Sequence, residues 1–379
     1  MFLNLHFLHR FISAVTSPTF NIFYRCRSSN SGGQCPDAAH FFMIVTAWIF
    51  LATAVDAAAG IHDMQIHEIS GKTMGTFYHV KIAHPGKIDR VLLKNKIDAR
   101  LQAVNNSMSM YQKTSEISRF NRSPENTPME ISDGFFLVLK EARALYDLTG
   151  GAWDGTIKPL VDIWGFGTTQ AGGKMPTKST IENALANTGF DKIILVEKTL
   201  AKKKSGITLD MGSIAKGYGV DQISELLREN HFKNTLVEIG GEVVGSGEKK
   251  PGKPWNVGIT TPDKRLDKQT VYQAIALKNR ALATSGDYRN FIMLDKQAYS
   301  HIIDPSTGYP VKNGVVSASV LAATCTLADG LATALMVMGP KKAIALVNRM
   351  ANTECLIIVQ ENDGTFSDRY STGFPVQKK

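Results

Sequence analysis

The sequence predicts an α+β fold built as a single large domain. Stretches of alternating polarity and stretches of helical spacing follow one another without the regular strand–helix–strand rhythm of a doubly wound sheet. No G-x-G-x-x-G turn occurs, which removes the main signature of a Rossmann dinucleotide unit. The 379 residues carry no internal repeat or low-complexity linker and suffice to bury a real core without staples.

The amino end stands apart from the rest. Residues 41–54 are nearly all apolar, and Val55-Asp56-Ala57-Ala58-Ala59 supplies the small residues that signal peptidase accepts. Residues 1–59 are therefore expected to be a leader with a secretory signal, Met43 being an alternative start, and residues 60–379 the functional domain. The apolar run is shorter than the ~20 residues that span a bilayer, and an uncleaved anchor at the inner membrane is the competing reading. Loss of the leader removes Arg10, Arg25, Arg27, Asp37 and Asp56, so the net charge falls from +9 to +8. That balance suits an anionic ligand. The positive residues are scattered, so nucleic acid is not indicated.

Past the leader, residues 76–82 alternate as a strand, and Ile88, Val91, Leu92, Ile97, Leu101 and Val104 recur at roughly helical spacing. A second helix runs from Asp133 through Phe136, Leu139, Ala142 and Leu145 to a stop at Gly150-Gly151. Strands are expected at 192–196, 207–209, 235–239, 255–259, 271–276, 291–294, 315–320 and 354–359. Helices are expected at 212–227, 325–337 and 341–349. Cys26 and Cys35 fall in the leader, and Cys325 and Cys355 remain, with no C-x-x-C spacing and a single disulfide as an open option.

Several stretches carry chemistry. Gly167 to Lys174 resembles a P-loop, but its glycines are one residue too far apart and Met175 stands where the metal-binding Ser/Thr belongs. Asp329 and Thr333, four apart on a helix, share one face and offer a carboxylate and a hydroxyl to a hard cation such as magnesium; alternatively Asp329 merely complements the helix dipole. At 209–218 a strand ends at Asp210 and a helix begins, so exposed N–H groups, Lys216 and the Ser213 carbonyl could receive an anion and a metal. The plainer reading makes Asp210 an N-cap and Lys216 a solvated residue. His301, before the turn Asp304-Pro305-Ser306-Thr307-Gly308, could act as general acid or base or be structural. Met74, Met108 and Tyr111 are of the types that pack on a flat ring, and the glycines of 150–156 let backbone approach a ligand.

Taken in this order, MGT (74–76), MSMYQKTSEISRFN (108–121), GGAWDGT (150–156), DMGSIAKGYGVD (210–221), SGDYRN (285–290), HIIDPSTG (301–308) and TLADGLATALMVMG (326–339) closely resemble the ApbE-type FAD:protein FMN transferases, from about Ile66 to the last strand. The resemblance implies one α+β catalytic domain that binds FAD in an extended pocket with Mg2+ at the pyrophosphate. It carries FAD contacts onto Met74, Tyr111, Ala152, Trp153, Asp154, Asp210, Lys216 and Ile302, and the metal onto Ser213, Asp329 and Thr333. Some members have a second Asp where Ala332 stands, which leaves the metal shell open. It further implies attack by an acceptor threonine on the FMN phosphorus with departure of AMP, His301 or a nearby carboxylate taking the proton. The acceptors would be exported domains of flavin-linked redox complexes such as sodium-pumping NADH:quinone oxidoreductase and Rnf-type subunits, in the periplasm. Competing expectations are a magnesium-dependent FAD pyrophosphatase giving FMN and AMP, and a non-catalytic periplasmic FAD-binding protein.

Overall fold

Eight antiparallel strands form the central layer of the structure, a computed structural model that describes residues 64–167, 174–263, 270–287, 291–294 and 297–376. The leader, most of the P-loop-like stretch and Tyr288 to Asn290 lie outside the described residues. β1 (Gln65–Thr73) and β2 (Thr76–His84) form a hairpin. Then come α1 (Arg90–Met108), α2 (Glu116–Arg122), β3 (Met129–Glu130), α3 (Asp133–Thr149), α4 (Lys158–Ile163) and α5 (Lys178–Leu185). β4 (Ile193–Val196) and β5 (Thr199–Lys202) join β3 in a small sheet. α6 (Ala215–Glu229), β6 (Thr235–Ile239), β7 (Glu242–Ser246), β8 (Trp255–Thr260), β9 (Val271–Leu277) and β10 (Arg280–Gly286) follow. The chain ends with β11 (Phe291–Leu294), β12 (Gln297–Ser300), β13 (Val315–Ala322), α7 (Cys325–Met338), α8 (Pro340–Val347), β14 (Glu354–Gln360) and β15 (Phe366–Tyr370).

The main sheet runs β1-β2-β6-β7-β10-β13-β14-β15, and every pairing in it is antiparallel. This is the α+β fold that the irregular order of elements predicts. Because side chains alternate across a strand, the sheet divides its apolar residues between two cores. Ala281, Ala283, Ala318 and Val320 join the larger core with α1, α3, α6 and α7, whereas Leu282 and Leu321 face a second core with Trp255, Ile259, Ile275 and Leu277 of the β8–β9 hairpin. All eight residues of β13 are buried, as a central strand covered on both faces requires. A third cluster, around Trp164, joins α4 and α5 to Tyr299 and Ile303.

Several local outcomes depart from the sequence expectations. Asp89 caps α1 by accepting from the Leu92 amide at 3.0 Å, and the buried stripe is Leu93, Ile97, Leu101, Val104 and Met108. Val91 and Leu92, counted in the apolar face, lie in solvent. Residues 207–209 form no strand, because side chains take the ladder's place: Asn121 accepts from the Leu209 amide at 2.7 Å and donates to its carbonyl at 2.9 Å. The buried Lys202 ammonium holds the Ile207 carbonyl at 2.9 Å. α6 begins at Ala215 rather than 212, after a tight turn in which the Met211 carbonyl accepts from Ile214 and Ala215. Cys325 and Cys355 are free and buried. Cys325 turns its thiol to the Val243 carbonyl on β7, three strands from Cys355 on β14, and at about 4.8 Å per strand no disulfide spans that distance. Among the described residues no helix is long and apolar enough to cross a membrane.

Candidate active site

α6 and α7 pack side by side because Gly217 lets them: a Cβ there would lie 2.2 Å from the Cys325 carbonyl oxygen and 2.8 Å from the Asp329 Cβ. The Gly217 amide donates to Asp329 Oδ2 at 2.9 Å, tying one helix to the other. Asp221, further along α6, accepts from the Cys325 and Thr326 amides at 2.8 Å and from the Thr326 hydroxyl, closing the first turn of α7 together with its N-cap Thr324. Asp329 therefore does not serve the helix dipole. It lies beyond the first turn, 3% exposed, with Oδ1 directed to the Lys216 ammonium at 3.6 Å.

These residues form one wall of a cleft of about 820 Å³, within the size range of small-molecule sites. Ala152, Trp153, Asp154, Asp210, Ser213, Lys216, His301, Ile302, Asp329 and Thr333 all line it, so the structure brings together most of the residues singled out in the sequence. Met74 and Tyr111 are not in its wall. Met74 occupies the β1–β2 turn at a φ of 48°, a conformation uncommon outside glycine, and its methyl group lies against Gly219 of α6. Tyr111, between α1 and α2, is 85% exposed.

The wall is well braced. The buried Trp153 indole donates to Ser213 Oγ at 3.0 Å, and Thr333 and Ser285 share a hydroxyl hydrogen bond at 2.9 Å. Asp210 does not cap α6, whose N-cap position is Ile214; it accepts from the Gly212 amide at 2.7 Å within the preceding turn. Burial raises its carboxyl above the usual range, with that amide and Lys158 opposing. Asp154 is raised for the same reason, against the Thr156 amide and hydroxyl that it accepts from. His301 follows β12 and meets the Phe166 ring edge-on, the centroids 6.3 Å apart. Asp304 lies outside the cleft wall, its carboxylate accepting from the Ser306 amide and hydroxyl, which is the turn role.

Lys216 is no solvated helix residue. Its ammonium is 3.3 Å from Glu242 and 3.6 Å from Asp329. Burial alone would lower its pKa, but the two carboxylates reverse that and hold it charged. Burial, and then the nearby Asp329, push the Glu242 carboxyl up. Sequence reasoning missed Glu242. It opens β7 directly after Gly240-Gly241, whose φ angles of 61° and 110° make the tight β6–β7 turn that delivers it to the cleft.

The donors facing the cleft are hard. Among the described residues no trio of His, Cys, Asp or Glu stands ready for a metal. Magnesium asks for less, one or two carboxylates completed by neutral oxygens, water and substrate phosphate. Asp329, Thr333 and Ser213 fit that requirement.

Such a fold and such a cleft define an α+β protein with a small-molecule site. The chain belongs to the ApbE family, whose model matches residues 74–357. It is 41% identical over 311 residues to the FAD:protein FMN transferase of Vibrio cholerae, covering 82% of this chain and 92% of that one. With the enzyme of the same name from Haemophilus influenzae it shares 39% over 338 residues, 87% and 97% of the two chains. Among solved structures, the flavin transferase ApbE from Vibrio cholerae superposes with a TM-score of 0.75 at 40% identity, covering 82% of this chain and 98% of that one.

Proposed function

We propose that this enzyme transfers the FMN half of FAD to a threonine hydroxyl of an acceptor protein and releases AMP, with magnesium as the assisting cation. The observation that carries the reading is the meeting of Ser213 and Lys216 at the start of α6 with Asp329 and Thr333 of α7 in one cleft, in a chain whose relatives bear the name FAD:protein FMN transferase. Bound by Ser213, Asp329 and Thr333, magnesium would neutralise charge on the pyrophosphate. Lys216, kept charged by its neighbours, adds a second positive centre for the phosphates. Ala152, Trp153, Asp154, Asp210 and Ile302 contact FAD along the cleft, and Met74 and Tyr111 meet the part that extends beyond it.

In the transfer, the threonine oxygen bonds to the FMN phosphorus as the bond from that phosphorus to the bridging oxygen breaks. The bridging oxygen leaves with AMP, and the hydroxyl proton passes to His301. Residues 41–59 support export, which would place the reaction in the periplasm beside exported domains of flavin-linked redox complexes; a retained leader would add inner-membrane association.

The test follows FAD consumption and AMP release in magnesium and in EDTA, with and without an acceptor domain. AMP in step with acceptor-bound flavin, both abolished by EDTA, is the expected result. AMP with free FMN and an unmodified acceptor would instead assign hydrolysis to this site, and undiminished turnover in EDTA would contradict the magnesium assignment.

A further inference from the structure

Glu242 is 4% exposed and lines the cleft. Its Oε1 takes the Lys216 ammonium at 3.3 Å, whereas Oε2 is buried with no hydrogen-bond partner. Buried carboxylate oxygens are ordinarily satisfied, and one left bare is costly. Lys216 cannot serve it as well, because its remaining neighbours are Asp329 Oδ1 at 3.6 Å and the Gly212 carbonyl at 3.4 Å. Nor does charge explain it. Pairing with Lys216 occupies Oε1 and leaves Oε2 without a role.

Glu242 opens β7 in the wall of the cleft, and an unpartnered carboxylate oxygen beside a ligand site is suited to a hydroxyl donor. Flavin nucleotides carry such donors on the ribityl chain and on the adenosine ribose. We propose that Glu242 is a substrate-binding residue, its Oε2 accepting a hydrogen bond from a sugar or polyol hydroxyl of the flavin nucleotide while Oε1 holds Lys216 for the phosphates. This rests on the flavin reading above. It divides one carboxylate between two tasks, orienting the lysine and selecting a hydroxylated ligand over any other pyrophosphate. The β6–β7 turn fixes the position, since both of its glycines sit at positive φ.

The test is equilibrium binding of FAD, followed by flavin fluorescence in EDTA, to the wild-type chain and to Glu242→Gln, with inorganic pyrophosphate, riboflavin and adenosine as competitors. Loss of that hydrogen bond predicts FAD binding weaker by about tenfold in the variant. Pyrophosphate should bind it as well as the wild type, because it carries no hydroxyl for Oε2 to accept from. That contrast separates the proposal from misfolding, which would weaken both ligands. A selective loss for riboflavin places the hydroxyl on the ribityl chain, and one for adenosine places it on the ribose. FAD binding unchanged or tighter in Glu242→Gln would overturn the proposal and reduce Glu242 to a partner of Lys216, as would a parallel loss for FAD and pyrophosphate. Failure of the wild-type chain to bind FAD would instead overturn the flavin reading, and this proposal with it.

Discussion

A charge kept out of water needs a partner, or it neutralises. Lys216, Asp329 and Glu242 solve this jointly, each carboxylate within 3.6 Å of one ammonium, and the arrangement leaves Glu242 Oε2 without a partner. In the proposed transfer the proton goes to His301, the one imidazole among the described residues of the cleft wall. If it accepts the threonine proton, His301→Ala should lower the transfer rate by about 10²- to 10⁴-fold with FAD affinity little changed, measured by single-turnover kinetics beside fluorescence titration. An unchanged rate rules the histidine out as the base. Asp329 and Thr333 were legible in the sequence because a four-residue spacing on a helix declares a shared face. Glu242 was not, because a single acidic residue after two glycines reads as an ordinary turn, and only the β6–β7 register shows where it points.

α7 and the turn leading into α6 carry the cation-suited residues, and the separation of the two helices is set at Gly217, where a side chain has no room against the Cys325 carbonyl. Gly217→Ala must push α7 from α6 and should cost about 1–3 kcal/mol, lowering the melting temperature by several degrees. It should also weaken magnesium binding, since Ser213 and Lys216 move relative to Asp329 and Thr333. Thermal unfolding with and without magnesium checks both; a variant as stable and as magnesium-responsive as the wild type would contradict this packing. Elements with a strong pattern could be read directly, β6, α3 and α7 among them. β10 escaped because its residues, Arg280-Ala281-Leu282-Ala283-Thr284-Ser285-Gly286, are mostly small, and β1 because only Ile69 and Thr73 of its nine residues are buried. Residues 207–209 misled in the opposite sense: Ile207-Thr208-Leu209 alternates as a strand would, but it is bonded to side chains of Asn121 and Lys202 rather than to a strand.

Across the whole molecule, a sheet with one helix-covered face and one face covered by a hairpin buries both described cysteines. Burial raises the Cys325 thiol well above its ordinary value and pushes Cys355 up to about 12. A raised thiol pKa means less thiolate at any given pH, so neither cysteine should react with a disulfide reagent between pH 7 and pH 9 until the domain is unfolded; fast labelling of the native protein would contradict the fold. The order of elements forecast the α+β class, but which strands neighbour one another, and hence where the cleft opens, depends on pairings between residues far apart in the chain. The proposed transfer makes one bond, from an acceptor threonine oxygen to the FMN phosphorus. Its most direct test is the intact mass of an exported acceptor domain after incubation with the protein, FAD and magnesium. A single added FMN phosphoryl group on one threonine, absent in EDTA, is the expected result. An acceptor of unchanged mass, with FAD bound and whole, would contradict it.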